Sequence, residues 1–64
     1  MAKYYIVDYG KDTTDLAELL IHHLREQDHH VLVALTDLNN YVAAEEIDED
    51  SFLDMFNLAN ELTN

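Results

Sequence analysis

Two runs of β-forming residues, "KYYIVDYG" at 3–10 and "HVLVALT" at 30–36, bracket a stretch with helical periodicity. A strand, a helix and a second strand in that order leave few topologies open. The intervening segment is long enough for a crossover, and crossovers between parallel strands are right-handed in nearly all folds. In the first run Tyr5, Val7 and Tyr9 alternate with Tyr4, Ile6 and Asp8, and Gly10 ends the run. This pattern predicts a strand at about 3–9. Between the runs, "KDTTDLAELLIHHLRE" offers Thr13 or Thr14 as a helix cap and places acidic residues in the first turn. Leu16, Ala17, Leu20 and Leu24 recur at helical spacing, with Leu19 and Ile21 beside them. Their apolar arc is wide, about 200° at roughly 100° per residue. Gln27 and Asp28 would fall inside that arc, so the helix is expected to end near Glu26.

The second run is apolar on both faces, through Val31, Val33 and Leu35 and through Leu32 and Ala34. That is the mark of a central strand. "DLNN" then reads as a hairpin loop and "YVAAEEI" as a third strand, antiparallel to the second. The stretch "DLNNYVAAEEID" is also compatible with a helix. The last segment, "DEDSFLDMFNLANELTN", is helical. Asp48 or Ser51 can cap it, and Ser51 with Asp54 resembles a capping box. Phe52, Met55, Phe56, Ala59 and Leu62 make one stripe, facing away from Asp54, Asn57 and Glu61. The expectation is one small two-layer α/β (α+β) domain spanning residues 1–64. Its order is β-α-β-β-α, with a three-stranded sheet and both helices on one face. Leu32, Ala34, Tyr4 and Ile6 then lie on an uncovered face, which points to a homodimer or a partner protein.

A chain of 64 residues buries only roughly 60% of its unfolded surface and is marginal alone. With no Cys it has neither disulfides nor thiolate metal sites. No apolar run approaches the roughly 20 residues that cross a bilayer. The first residues lack the basic start and apolar core of a secretory signal. A cytoplasmic protein is expected. Nearly half the residues are hydrophobic, which argues against disorder despite the charge.

The 14 acidic residues face only three basic ones, Lys3, Lys11 and Arg25. From Glu26 onward there is no Lys or Arg at all. Such a surface repels nucleic acid and anionic membranes, and it steers basic proteins toward itself. Tyr4, Tyr5, Tyr9 and Tyr41 could stack on bases. Without a basic groove, however, the electrostatic attraction that dominates nucleic-acid binding turns into repulsion. They read as core and sheet residues.

"HHLREQDHH" at 22–30 carries four histidines. His22 and His23 diverge by about 100° on a helix, so they do not converge on one ion. The spacing of a helical zinc pair is absent. They are expected to end the helix and favour its negative terminus, with no metal and no cofactor. The acidic run after Ile47 lacks the glycine of a calcium loop, and Phe52 stands where an oxygen ligand belongs. No catalytic residues are expected. Ser51 reads as a cap, Glu45 and Glu46 point to opposite sides of a strand, and no Gly-rich phosphate loop exists.

That leaves "EEIDED" and its continuation. Glu45 and Glu46 can guard an edge strand, and Asp48, Glu49 and Asp50 suit a helix start. Neither role explains why residues 26–64 lack basic residues, since a solvated surface normally mixes signs. A negatively charged decoy does explain it. Alternate strand positions are roughly 6.6 Å apart and i,i+4 helix positions about 6 Å, comparable to the spacing of successive phosphates. Glu45, Glu46, Asp48, Glu49, Asp50 and Asp54 are the candidate partner-binding residues.

In size, composition and the segment from Glu45 to Asp54, "EEIDEDSFLD", the chain resembles the small acidic inhibitors of phages and mobile elements. That class includes anti-restriction proteins, uracil-DNA glycosylase inhibitors and some anti-CRISPR proteins. The resemblance implies a non-catalytic protein that binds the basic nucleic-acid site of a nuclease or similar enzyme, without binding nucleic acid itself. The alternative is a small adaptor or regulatory protein that docks or dimerises through its apolar sheet face.

Overall fold

The computed structural model describes residues 2–63, with side chains as far as residue 61. Its elements are β1 (Tyr4–Tyr9), a short 3-10 turn (Lys11–Thr13), α1 (Thr14–Glu26), β2 (His30–Leu35), β3 (Val42–Ile47) and α2 (Glu49–Thr63). The order is the expected β-α-β-β-α, and residues 42–47 are strand rather than helix. No helix among the described residues is long and apolar enough to cross a membrane.

The strand order is β2-β1-β3. β1 pairs parallel with β2, from Tyr4 opposite His30 to Tyr9 opposite Leu35. It pairs antiparallel with β3, from Tyr4 opposite Ile47 to Tyr9 opposite Val42. Two expectations are corrected here. The central strand is β1, not β2, and β3 is antiparallel to β1 rather than hairpinned to β2. The "DLNN" stretch is therefore no hairpin loop. It carries the chain over the end of β1, from one sheet edge to the other.

Gly10 makes this crossing possible. It is buried, its amide donates to the Tyr41 carbonyl at 2.8 Å, and the Asp12 amide donates to the Asn39 carbonyl at 2.8 Å. A β-carbon on Gly10 would lie 1.9 Å from the Leu38 carbonyl oxygen. The need is for close approach, not for unusual backbone angles, since φ is −97°. Thr13 completes the junction. Its hydroxyl sits 2.7 Å from the Tyr41 carbonyl and accepts the Gly10 amide at 3.2 Å. The threonine thus ties the loop down instead of capping α1 with its side chain.

Alternation along the strands sorts the residues onto two faces. Tyr5, Val7, Tyr9, Val31, Val33, Leu35, Val42, Ala44 and Glu46 share the first face. α1 packs there, and Val7, Ala17 and Leu24 form the buried centre, ringed by Tyr5, Tyr9, Leu20, Ile21, Val31 and Val42. α1 ends where expected, by a closed C-terminal motif. The Asp28 amide donates to the Arg25 carbonyl and the His29 amide to the Leu24 carbonyl, at 3.0 and 3.1 Å. Asp28 holds the left-handed conformation this motif needs, with φ 63°.

The second face carries Tyr4, Ile6, Asp8, His30, Leu32, Ala34, Ala43, Glu45 and Ile47. α2 reaches this face, not the one α1 covers. Phe52 lies 5.0 Å, ring to ring, from Tyr4 and 6.1 Å from His30. The expectation of both helices on one face is corrected accordingly. The cause lies at the junction: β3 ends at Ile47, immediately before the α2 cap, and its register opposite Tyr4 points Ile47 to the second face.

Contact between α2 and the sheet is limited to the first turns of the helix. Leu53, Met55, Phe56 and Leu58 are each between 42% and 56% exposed. The molecule is 17 Å deep in its least dimension. The side chain of Leu62 lies outside the described residues.

Candidate functional site

The six candidate carboxylates lie along one continuous piece of chain, from the end of β3 into the early turns of α2. All six residues are exposed. They do not act alike. Glu45 and Glu46 alternate on β3, so Glu45 faces the α2 side and Glu46 the α1 side. Glu46 is also answered by a cation. Its Oε1 stands 3.7 Å from the Lys3 Nζ, a half-exposed pair worth little in stability but enough to mute its charge.

Asp48 is committed to structure. It precedes the first residue of α2, and its carboxylate accepts the Ser51 hydroxyl at 2.6 Å and the Ser51 amide at 3.4 Å. The hydrogen bond from the Ser51 hydroxyl, with those from backbone amides, holds the Asp48 carboxyl below its ordinary pKa. Ser51 is therefore the partner of the cap, not the cap, and it does not pair with Asp54. Glu49, Asp50 and Asp54 project from the helix, and with Glu45 they have no ion-pair partner among the described residues. Glu49 and Asp50 also suit the positive helix N-terminus, which stabilises anions there.

The four histidines separate. His22 contacts Glu26 at 2.7 Å, one turn along α1. His23 lies 3.2 Å from Gln27 Nε2. The His29 ring nitrogen accepts the Lys3 amide at 3.0 Å, which seals the entrance to β2. His30 stacks on Tyr4 at 5.0 Å. No three His, Asp or Glu residues come together as a metal site among the described residues.

An open cleft of about 540 Å³ sits at the C-terminal ends of the parallel pair. Asp8, Leu35, Thr36, Asp37, Leu38 and Tyr41 line it. Asp8 and Asp37 make it another anionic surface. A second groove, lined by Tyr9, Ile21, Arg25 and Val33 among others, runs between α1 and β2.

Sequence reasoning missed two features of this surface. One is the apolar flank of the acidic segment, the exposed Leu53, Met55, Phe56 and Leu58. Met55 and Phe56 belong to the stripe read from the sequence, which implies a core, and here the sheet reaches only Phe52; Leu53 and Leu58 lie outside that stripe. The other is the bare outer edge of β2, which the sequence places inside the sheet.

No family model, curated protein or solved structure matches this chain. Charge, geometry and exposure therefore carry the functional reading.

Proposed function

We propose that the protein is a non-catalytic, cytoplasmic inhibitor that occupies a basic nucleic-acid-binding surface on a nucleic-acid-processing enzyme. One observation carries this reading. Glu45, Glu49, Asp50 and Asp54 stand free of ion pairs among the described residues, at the β3–α2 junction of a segment, 26–64, that holds no Lys or Arg. Exposed apolar side chains of α2 flank them. Anions alone give steering and rate, and they are screened by salt. Anions beside Leu53 and Leu58 add the apolar anchors that hold a complex together. Docking on a basic groove would release counterions there, as nucleic acid does.

The exposed apolar side chains of α2 also favour a second reading, an adaptor whose partner is held mainly by Leu53 and Leu58. Capture separates the two. The immobilised protein is offered the heparin-binding fraction of a nuclease-treated lysate. The inhibitor reading predicts retention of a nucleic-acid-processing enzyme that duplex DNA or RNA displaces. Retention that nucleic acid leaves intact, and that fails on Leu58→Ser, would favour the adaptor.

A further inference from the structure

We propose that two copies of this chain join edge to edge through β2, forming a continuous six-stranded sheet in which α2 of each copy lies over the sheet of the other. Three independent features support this arrangement, none of which depends on the inhibitor reading.

The first is the β2 edge. The His30 amide donates to Lys3 and the Thr36 amide donates to Tyr9, so every second residue of β2 faces β1. Val31, Val33 and Leu35 therefore turn their own amides and carbonyls outward. Edge strands are normally protected by charge, Pro or a bulge. β3 carries Glu45 and Glu46, whereas residues 31–35 carry no charge, no Pro and no Gly. Val33 is 45% exposed and Leu35 72%. A run that is apolar on both faces suits a strand with neighbours on both sides. A second copy supplies the missing neighbour.

The second is the direction of α2. It starts beyond Ile47 on β3, passes Tyr4 on β1 with Phe52, and brings the same ring to His30 on β2. Phe56 stacks on Phe52 one turn further, roughly 6 Å along the axis. Strands lie only about 4.8 Å apart. The helix therefore heads toward the β2 edge, and on its sheet-facing side Phe56 is 47% and Met55 42% exposed. Antiparallel pairing of two β2 strands places the other sheet under that side. Ala34 on the second copy's β2 then lies near its path.

The third is surface area. A folded monomer of 7.4 kDa exposes about 4,200 Å² by the usual scaling with mass. This chain exposes 4855 Å². The surplus, roughly 650 Å² over that scaling, approaches the about 800 Å² that each partner of a stable interface buries.

The register follows from the free groups. A two-fold axis at Val33 pairs Val33 with its own copy and Val31 with Leu35, so that all three outward residues gain bonds. An isologous contact of this kind closes at two copies. Like charge opposes the association, because each copy carries a net charge of −11. Salt should therefore strengthen the dimer, the opposite of its effect on binding to a basic enzyme.

The test is sedimentation equilibrium across micromolar concentrations, at low and high salt. A dimer that tightens with salt is expected. Val33→Pro removes an outward donor that β1 does not use, and Leu35→Lys adds an edge charge. Both should leave a monomer, whereas Leu19→Lys on the outside of α1 should leave the dimer intact. Should those variants unfold, Val33→Cys gives a separate readout in a chain without cysteine. Paired residues about 5.5 Å apart between Cα atoms meet disulfide geometry. Val33→Cys should therefore link under mild oxidation, and Leu19→Cys should not. A wild-type monomer at every concentration and salt, or a dimer in which Val33→Cys stays reduced, would overturn the proposal.

Discussion

Gly10 and Leu38 meet so closely that the chain crossing above β1 leaves no room for a side chain: a β-carbon at position 10 would lie 1.9 Å from the Leu38 carbonyl oxygen. The obstacle is backbone, so it cannot swing aside like a flexible side chain. Gly10→Ala should push the 36–41 loop away, break the bonds from Gly10 and Asp12 to Tyr41 and Asn39, and free β3 from its register. Losses above about 3 kcal/mol are expected, in the range reserved for disrupted buried networks. Urea titration measures the loss. A change smaller than about 1 kcal/mol would show that the crossing adapts more easily than its geometry implies.

Asp28 predicts a gain. It holds a left-handed conformation at the end of α1, which costs a non-glycine residue roughly 1–2 kcal/mol. Asp28→Gly keeps the closing bonds to Arg25 and Leu24 and relieves that cost. Some of the relief is offset by the freedom glycine gains when unfolded. A net rise of up to about 1 kcal/mol is expected, read as a higher melting temperature.

Phe52 holds α2 to the sheet through Tyr4 and His30. Phe52→Ala should loosen α2 while leaving the Val7, Ala17 and Leu24 centre in place. Faster amide exchange along residues 49–61, with protection kept in β1 and α1, is the expected pattern. The cost should be about 1–2 kcal/mol, less than for a fully buried Phe. Uniform loss of protection would mean that α2 is part of the central folding unit.

Asp48 gives α2 one acid-side pH dependence. Its hydrogen bonds with Ser51 lower its pKa in the folded chain, so the carboxylate favours folding when ionised. That contribution is fully present above the unfolded aspartate pKa and is lost as pH falls through the lower folded value. Asp48→Asn should flatten this acid-side dependence and leave neutral-pH behaviour closer to wild type, because Asn also caps helices. Helix content followed by circular dichroism through the acid range tests it. An unchanged acid profile in the variant would place the titration elsewhere.

The element order was legible because each segment keeps one period: two for residues 4–9 and 3.6 for residues 14–26 and 49–63. Strand order was not, because Gly10 signals a turn locally, while its role is to let a distant loop pass. The sidedness of α2 was hidden for a similar reason. The direction of Ile47 at the end of β3 decides it, and that depends on register with Tyr4 rather than on any local pattern. The acidic segment was legible as charge. Its division into a paired Glu46, a capping Asp48 and the free Glu45, Glu49, Asp50 and Asp54 was not, since Lys3 lies at the far end of the sequence.

The functional claim is tested most directly by the salt dependence of affinity for the captured enzyme. The comparison is wild type against Glu45→Gln, Glu49→Gln, Asp50→Asn and Asp54→Asn combined. These exposed changes should alter stability by no more than about 0.5 kcal/mol each, so both chains can be compared folded. An inhibitor that occupies a basic groove should show wild-type affinity falling steeply and linearly on a logarithmic salt scale. The fourfold variant should bind far more weakly at low salt, with a much shallower slope. Equal affinity and equal slope for the two chains would contradict it.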